Sequence, residues 1–549
     1  MCFGISHHLG GKPRLRTWPD NVRNLQPVIH NCVPSIARKV TVCALALLCV
    51  VLGVRVRAAV RTWDTVPLTQ RSQTPDLVLT GMVTDADGKR TRQLPSEVTE
   101  GVLRLGVELF YTGRDRGTVI DLGLFDPNGF RGWSGSNKRS LVISATDATP
   151  SYLPGPIRAG RRTVELGISA IRAHERSTYT VKVFYWRHGD TPVASTFSPE
   201  PLRRGQAWYR GDLHLHDSHS EGFCTSQSGQ HAPCCLYKTV AVAAARRLDF
   251  IAITDHNATS HFNEMHELQP CYDELLLIPG REITTPAGHA NVWGTTEFID
   301  YRIGAPFKRG MNDVLRDAAA LQGVISVNHP ARITSESCRG CGWTAPNVNY
   351  SLISAIEVVN SNDEFAPNAQ DKSGTGVSYW QHLLDTGLRL TAVGGSDTHD
   401  AEVGSMGVGL PTTVVHAGEL SERAILEAVR AGHVFVDVLG SRDRLLAAEA
   451  TTGAGRAEMG DSLAAPKGST VHVSVHISGC QSAHVVVIQQ RQPTPVAEET
   501  VTLDEEVHSF DLPSGGDQRW IRVEVRGSDD VPILIGNPFY VNYPPTAKG

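Results

Sequence analysis

Residues 236–257 read LYKTVAVAAARRLDFIAITDHN. Leu236–Leu248 carries the small and apolar spacing of a helix, and Phe250–Thr254 (FIAIT) that of a short strand buried on both faces. The strand ends in Asp255-His256-Asn257. The same pattern recurs further along the chain. Leu275–Ile278 (LLLI), Val324–Val327 (VISV), Ile356–Val359 (IEVV) and Leu390–Val393 (LTAV) read as buried strands. Met311–Gln322, Ser378–Thr386 and Leu420–Ala431 read as helices. Strands alternating with helices predict an α/β domain with a parallel sheet over residues 205–440.

The flanks read differently. Over 62–204, Gly101–Tyr111 (GVLRLGVELFY) and Tyr179–Trp186 (YTVKVFYW) alternate apolar and polar residues. Turn clusters such as Asp126-Pro127-Asn128-Gly129 and Leu153-Pro154-Gly155-Pro156 separate them, which predicts an N-terminal β-sandwich. Over 441–549, Thr470–Ile477, Ala483–Gln489 and Arg519–Val525 predict a small C-terminal β module.

Residues 1–61 read as a leader. The apolar run 40–54 (VTVCALALLCVVLGV) follows Arg38-Lys39 and precedes Arg55 and Arg57. Its length suits the core of a signal peptide or signal anchor, whereas a membrane span takes about 20 residues. The expectation is an exported protein, periplasmic, extracellular or membrane-anchored, with an uncut leader acting as a membrane tether. Cysteine usage agrees: Cys338 with Cys341, and a pairing among Cys224, Cys234, Cys235 and Cys271, are candidate disulfides.

With 52 Lys+Arg against 57 Asp+Glu, 41% apolar and 20% charged residues, the 549-residue chain has globular composition and a net charge of only −5. That excludes a basic nucleic-acid binder and an acidic disordered chain. Histidine is the exception, with 11 of 22 falling between positions 201 and 400. His214 and His216 in GDLHLH are two apart, so on a strand both imidazoles face one side. Other strand ends carry Asp255-His256, Arg281-Glu282 followed by His289, Asn328-His329-Pro330, and Ser396-Asp397-Thr398-His399. The C-terminal edge of a parallel sheet is where such loops gather, so these residues predict a metal cluster at one mouth.

The ordered segments GDLHLHDSHSEG, DFIAITDHN, IPGREITTPAGH, VNHP and GGSDTH resemble the PHP (polymerase and histidinol phosphatase) superfamily. Residues 121–127 (DLGLFDP), 132–135 (GWSG), 148–150 (ATP) and 535–541 (IGNPFYV) are similar to its carbaryl-hydrolase-like (CehA/McbA-type) branch. The resemblance implies a distorted (β/α)7 barrel with two or three divalent ions, Zn, Mn or Fe. It implies His214, His216 and Asp397 on one ion, and Glu282 bridging to a second held by His289 and His329. A third would take His256, His399 and Glu221, with His219 as the alternative to Glu221. It also implies a metal-dependent hydrolase, a phosphoesterase or a carbamate or ester hydrolase, in which a metal-bridging hydroxide cleaves a small-molecule substrate.

Among the neighbours of these ligands, Asp255 is a candidate proton shuttle or imidazole-orienting group. Arg332 is a candidate phosphate clamp, and Arg281 a weaker one. Trp133 and Tyr152 read either as sandwich core or as a sugar platform. The competing class is a non-catalytic carbohydrate- or surface-binding protein built on a metal-bound PHP scaffold. Nucleic-acid processing is excluded by the charge balance and the absence of a basic cluster.

Overall fold

The computed structural model describes residues 74–544, apart from 137, 188–189, 191–196, 334–339, 362–375, 403–406 and 493. The leader 1–61 and its apolar run lie outside the described residues. No described helix is long and apolar enough to cross a membrane.

Two four-stranded antiparallel sheets make the N-terminal module. One runs Leu77–Thr84, Arg176–Arg187, Val102–Tyr111, Ser140–Ser144; the other runs Arg90–Val98, Gly160–Ala170, Val119–Asp126, Gly129–Ser134. Alternation builds their common core, because every second residue faces inward. Leu105, Val107 and Leu109 pair in register with Tyr185, Val183 and Val181, and all six are buried. Tyr152 belongs to this core, its hydroxyl bonded to Ser134 Oγ and to the Leu122 carbonyl. The half-buried Trp133 lies across Gly123 and Gly167, where any Cβ would meet the indole at 2.5 Å.

The site rests on a sheet of fifteen strands. From one edge it runs Thr391–Gly395, Ala355–Asn360, Val324–Val327, Gly288–Trp293, Leu276–Thr285, Phe250–Ile253 and Arg203–Leu215. It continues through Thr412–Leu420, Val434–Asp437, Pro532–Gly536, Arg519–Arg526 and His484–Gln489 to Ala497–Thr500; Phe539–Val541 pairs off this path with Arg519–Arg526, and Ser462–Leu463 with Phe539–Val541, completing the fifteen. Phe250–Ile253 is fully buried between two parallel neighbours, which is why it reads as an unbroken apolar run. At the Thr391–Gly395 edge the following chain returns to Arg203–Leu215, with Thr398 bridging Leu215 in parallel.

The expected α/β architecture and its (β/α)7 barrel are not what forms. The described residues make 29 strands and only five α-helices of 8–10 residues. The decisive difference is at Thr285–Gly288. Two intervening residues leave room only for a hairpin, whereas a parallel crossover takes a dozen or more. Gly288–Trp293 therefore runs antiparallel to both Leu276–Thr285 and Val324–Val327. Thr412–Leu420 and Val434–Asp437 are likewise antiparallel, and they lead the sheet into the C-terminal strands. Those strands share one core with a second antiparallel sheet, Gly455–Glu458, Leu445–Thr452, Thr470–Ser478, Glu505–Pro513.

The helices pad the sheet without forming a ring. Glu422–Ala431 is typical. Ser421 caps it by accepting from the Ala424 amide at 3.2 Å, Ile425, Leu426, Ala428 and Val429 are buried, and Gly432 ends it at φ +82°.

The predicted pairing among Cys224, Cys234, Cys235 and Cys271 does not form: all four are free thiols. Cys224 lies on the hairpin Phe223–Thr225 and His231–Pro233 and Cys234 directly after it; both are buried, and burial pushes the Cys234 thiol up. Cys341 is disulfide-bonded; its candidate partner Cys338 lies outside the described residues.

Candidate metal centre

Strand ends position the polar cluster. His214 lies on Arg203–Leu215 and His216 just beyond it, so their side chains share one face. The His216 amide bonds to the Thr398 carbonyl and the Thr254 amide to that of Leu215, fixing the strand end from both sides. Glu282 sits on Leu276–Thr285, bridged in parallel to His256. In the following hairpin Thr284 is opposite His289, which places His289 on the face of Glu282. His329 and Asp397 follow their strands with backbones in the left-handed region, φ +27° and +51°. Such backbone is costly for residues other than glycine, and here it turns both side chains into the cluster.

Three overlapping sets of ligand atoms each lie within 4.8 Å of one another: His214, His216, Glu282 and Asp397; His256, Glu282 and His289; His216, His256 and His399. Glu282 is the hub. Its Oε2 is 3.4 Å from Nε2 of both His214 and His216 and 2.9 Å from His256 Nδ1. Its Oε1 is 3.1 Å from His289 Nδ1 and 3.3 Å from His329 Nε2. Glu221 Oε1 reaches His256 Nε2 at 2.9 Å and His399 Nε2 at 3.5 Å. His219 is turned away, bonded to Ser260 Oγ and facing Glu264. The site grades from a buried floor to an open rim: the Glu282 side chain is 0% exposed and that of Glu221 57%.

Charge explains the protonation pattern. Burial would raise the Glu282 carboxyl, but the His214 and His256 imidazoles outweigh it and hold it well below its usual value. Burial would lower His214, but Glu357, Asp397 and Glu282 hold it well above. His256 is driven up to about 10 against its own burial by Glu282 and Glu221. A group of carboxylates this closely packed recruits positive charge, as protons on the imidazoles or as cations.

The residues fit divalent ions. Among the described residues His214 Nε2, Glu282 Oε2 and His289 Nε2 are buried atoms without a hydrogen-bond partner, and all three residues belong to the sets that could hold a cation. Buried polar atoms rarely go unsatisfied. Nitrogen with carboxylate oxygen suits Zn, Mn or Fe.

Other predicted residues fall at different distances from this centre. The Asp255 carboxylate accepts from the Asp217 amide and Ser220 Oγ and faces His261 at 3.8 Å, so it braces the Asp217–Gly222 turn that carries Glu221. Gly222 permits that turn, since a Cβ there would lie 2.5 Å from Asp217 Cα. Arg332 lies on the rim, half-exposed, with Nη1 3.1 Å from Asp397 Oδ2. Arg281 points to the opposite face, donating to the Glu297 carbonyl and lying against the Phe262 ring.

Sequence reading missed three polar residues. Asn328 Nδ2 donates to Glu282 Oε1 at 2.9 Å. Glu357 meets His214 Nδ1 at 2.8 Å, and Asn360 donates to both Glu357 and Asp397. The available signal was a charged residue inside the apolar run IEVV, since a buried strand holds a carboxylate only where donors await it. No protein-family model matches the chain, and no curated protein sequence matches it.

Proposed function

We propose that the chain is an exported metal-dependent hydrolase of the PHP type, cleaving a phosphoester or a related ester or carbamate of a small molecule. The observation that carries this reading is the convergence of five imidazoles on Glu282, with His399, Glu221 and Asp397 beside them and three buried atoms of the group without a hydrogen-bond partner among the described residues. His214, His216 and Asp397 would hold one ion. Glu282 would be shared with a second near His289 and His329, and His256, His399 and Glu221 would hold a third at the rim. Divalent ions there supply Lewis acidity, acidifying water and polarising the scissile bond.

The remaining work falls to the chain. Buried Glu282 belongs to two of the three ligand sets and so fixes their spacing. Asp255 acts by holding the turn that presents Glu221. Among the described residues the half-exposed Arg332 guanidinium engages Asp397 with one of its N–H groups, and the others would bind an anionic oxygen, which favours a phosphoester over a neutral carbamate. The test is elemental analysis of the purified chain. Assays of aryl phosphates, phosphodiesters and aryl carbamates with Zn²⁺, Mn²⁺ and Fe²⁺ follow, with E282A as control. Two to three equivalents of metal and E282A-sensitive turnover are expected. A metal-free chain that is inert with every substrate and ion would overturn the proposal.

A further inference from the structure

The Ala355–Asn360 strand pairs in parallel with Thr391–Gly395, and Glu357 on it is buried, with 2% of its surface exposed. Its two oxygens have three donors. Oε1 is 2.8 Å from His214 Nδ1, while Oε2 accepts from the His329 amide and from Asn360 Nδ2, each at 2.9 Å. Asn360 Nδ2 lies also 3.3 Å from Asp397 Oδ2. Three of the cluster's residues are thus tied to one carboxylate: His214 by its ring, His329 by its left-handed backbone, and Asp397 through an amide.

We propose that Glu357 is a positioning residue that fixes His214 as the Nδ1–H tautomer and thereby sets the cluster's affinity for divalent cations. An imidazole that donates from Nδ1 keeps its Nε2 lone pair free. His214 Nε2 has no hydrogen-bond partner and lies 3.4 Å from Glu282 Oε2 and 3.3 Å from Asp397 Oδ1. Every role of Glu357 is that of acceptor, so glutamine is not equivalent. Whichever way the amide turns, its NH₂ opposes a donor. The neighbouring strand makes room for this carboxylate: a Cβ at Gly395 would collide with Glu357 Oε1 and lie 2.5 Å from His214 Cβ. Outer partners of this kind govern both ring orientation and ligand basicity.

This inference rests on the metal-binding reading above, and two measurements keep them distinguishable. The first is competition titration of Zn²⁺ and Mn²⁺ between a chromogenic chelator and the full chain, for the parent and for E357Q. Binding about 10–100-fold weaker in E357Q is expected. An E357Q chain that is folded and binds within threefold of the parent would sink the proposal. The second follows ¹⁵N spectra of the histidine-labelled parent as Zn²⁺ is added, with the His214 signals assigned by their loss in H214Q, because neighbouring carboxylates keep the metal-free ring protonated. A ring that keeps Nδ1–H while Nε2 gives up its proton supports the proposal; one that keeps Nε2–H with the metal bound overturns it, whether or not E357Q folds. A parent that binds metal tightly but hydrolyses nothing would defeat the proposed function and leave the role of Glu357 standing.

Discussion

Asp397 Oδ1 lies 3.0 Å from His216 Nε2, although 181 residues separate them in the chain. The contact depends on the sheet curling back, with the Asp397 amide bonded to the His214 carbonyl and the His216 amide to that of Thr398. Imidazoles from the end of Arg203–Leu215 and a carboxylate from just beyond Thr391–Gly395 thus meet in one cluster.

Removing that closing carboxylate defines the first prediction. D397N keeps the shape but loses the charge that faces His214, His216 and Arg332. The expected outcome is loss of about one metal equivalent per chain, since an ion-binding set is left with one carboxylate. Elemental analysis of D397N beside the parent checks it. Unchanged metal content would show that Asp397 is only a partner of Arg332.

Arg332 distinguishes the substrate classes. Its guanidinium is the charged donor on the exposed side of Asp397. R332A should lower kcat/KM for an aryl phosphate by about 100-fold, or about 2.7 kcal/mol. An aryl carbamate, carrying no anionic oxygen in its ground state, should change less than about threefold on the same argument. R332K should recover part of the phosphate activity, because a point charge replaces the fork. Equal losses on both substrates would mean that Arg332 acts only by holding Asp397.

The sequence was informative where chemistry is local. Val324–Val327 forms as read, and Phe250–Ile253 and Thr391–Gly395 differ from their readings by a residue or two, because buried apolar runs between polar ends have few alternatives. The polar residues at those ends sit together for the same reason. Pairing direction was not legible. Gly288–Trp293 does not read as a strand in the sequence, because its glycine and histidine mask a strand whose every residue is buried, and without it the hairpin, and so the mixed sheet, is invisible. Glu357 was hidden differently: two of its three donors, His214 and His329, come from segments distant in sequence, and a single charge in an apolar run does not say where they are.

The N-terminal module is tied to the central region by buried charge, which sets a stability prediction. Arg104 Nη2 is 3.0 Å from both Asp147 Oδ1 and Glu297 Oε1 and donates to Thr296 Oγ1 at 2.9 Å; Asp147 also meets His266 at 3.2 Å. Burial would raise the Asp147 carboxyl, but Arg104 and His266 hold it low. R104M strands that carboxylate, at a cost of about 3–5 kcal/mol. At about 2–4 °C per kcal/mol this lowers Tm by about 6–20 °C. R104M/D147A should lose less than the sum of the single variants, because the two share one network. Calorimetry of the four proteins checks both statements, and strict additivity would contradict the shared network.

His433 and Asp461 give a pH prediction whose sign can be worked through. His433 precedes the Val434–Asp437 strand of the large sheet, and Asp461 follows the Gly455–Glu458 strand of the C-terminal sheet; their side chains meet at 3.3 Å. The hydrogen bond to Asp461 raises the His433 pKa above 6.5, against burial, and Glu458 adds to it. Burial would raise Asp461, but His433 outweighs it and leaves Asp461 below 3.8. A raised histidine stabilises the fold fully below its unfolded pKa, and this is lost as pH climbs through the folded value. A lowered aspartate stabilises above its unfolded pKa, and this is lost as pH falls through the folded value. Both contributions are therefore complete only between about pH 4 and 6.5. The side chains are 28% and 47% exposed, so screening limits the pair to under about 1 kcal/mol. H433Q should lower Tm by at most about 2–4 °C at pH 6 and by much less at pH 9, and the deficit at pH 6 should shrink in 1 M salt. A Tm deficit that stays the same from pH 6 to pH 9 would place the effect in packing and not in charge.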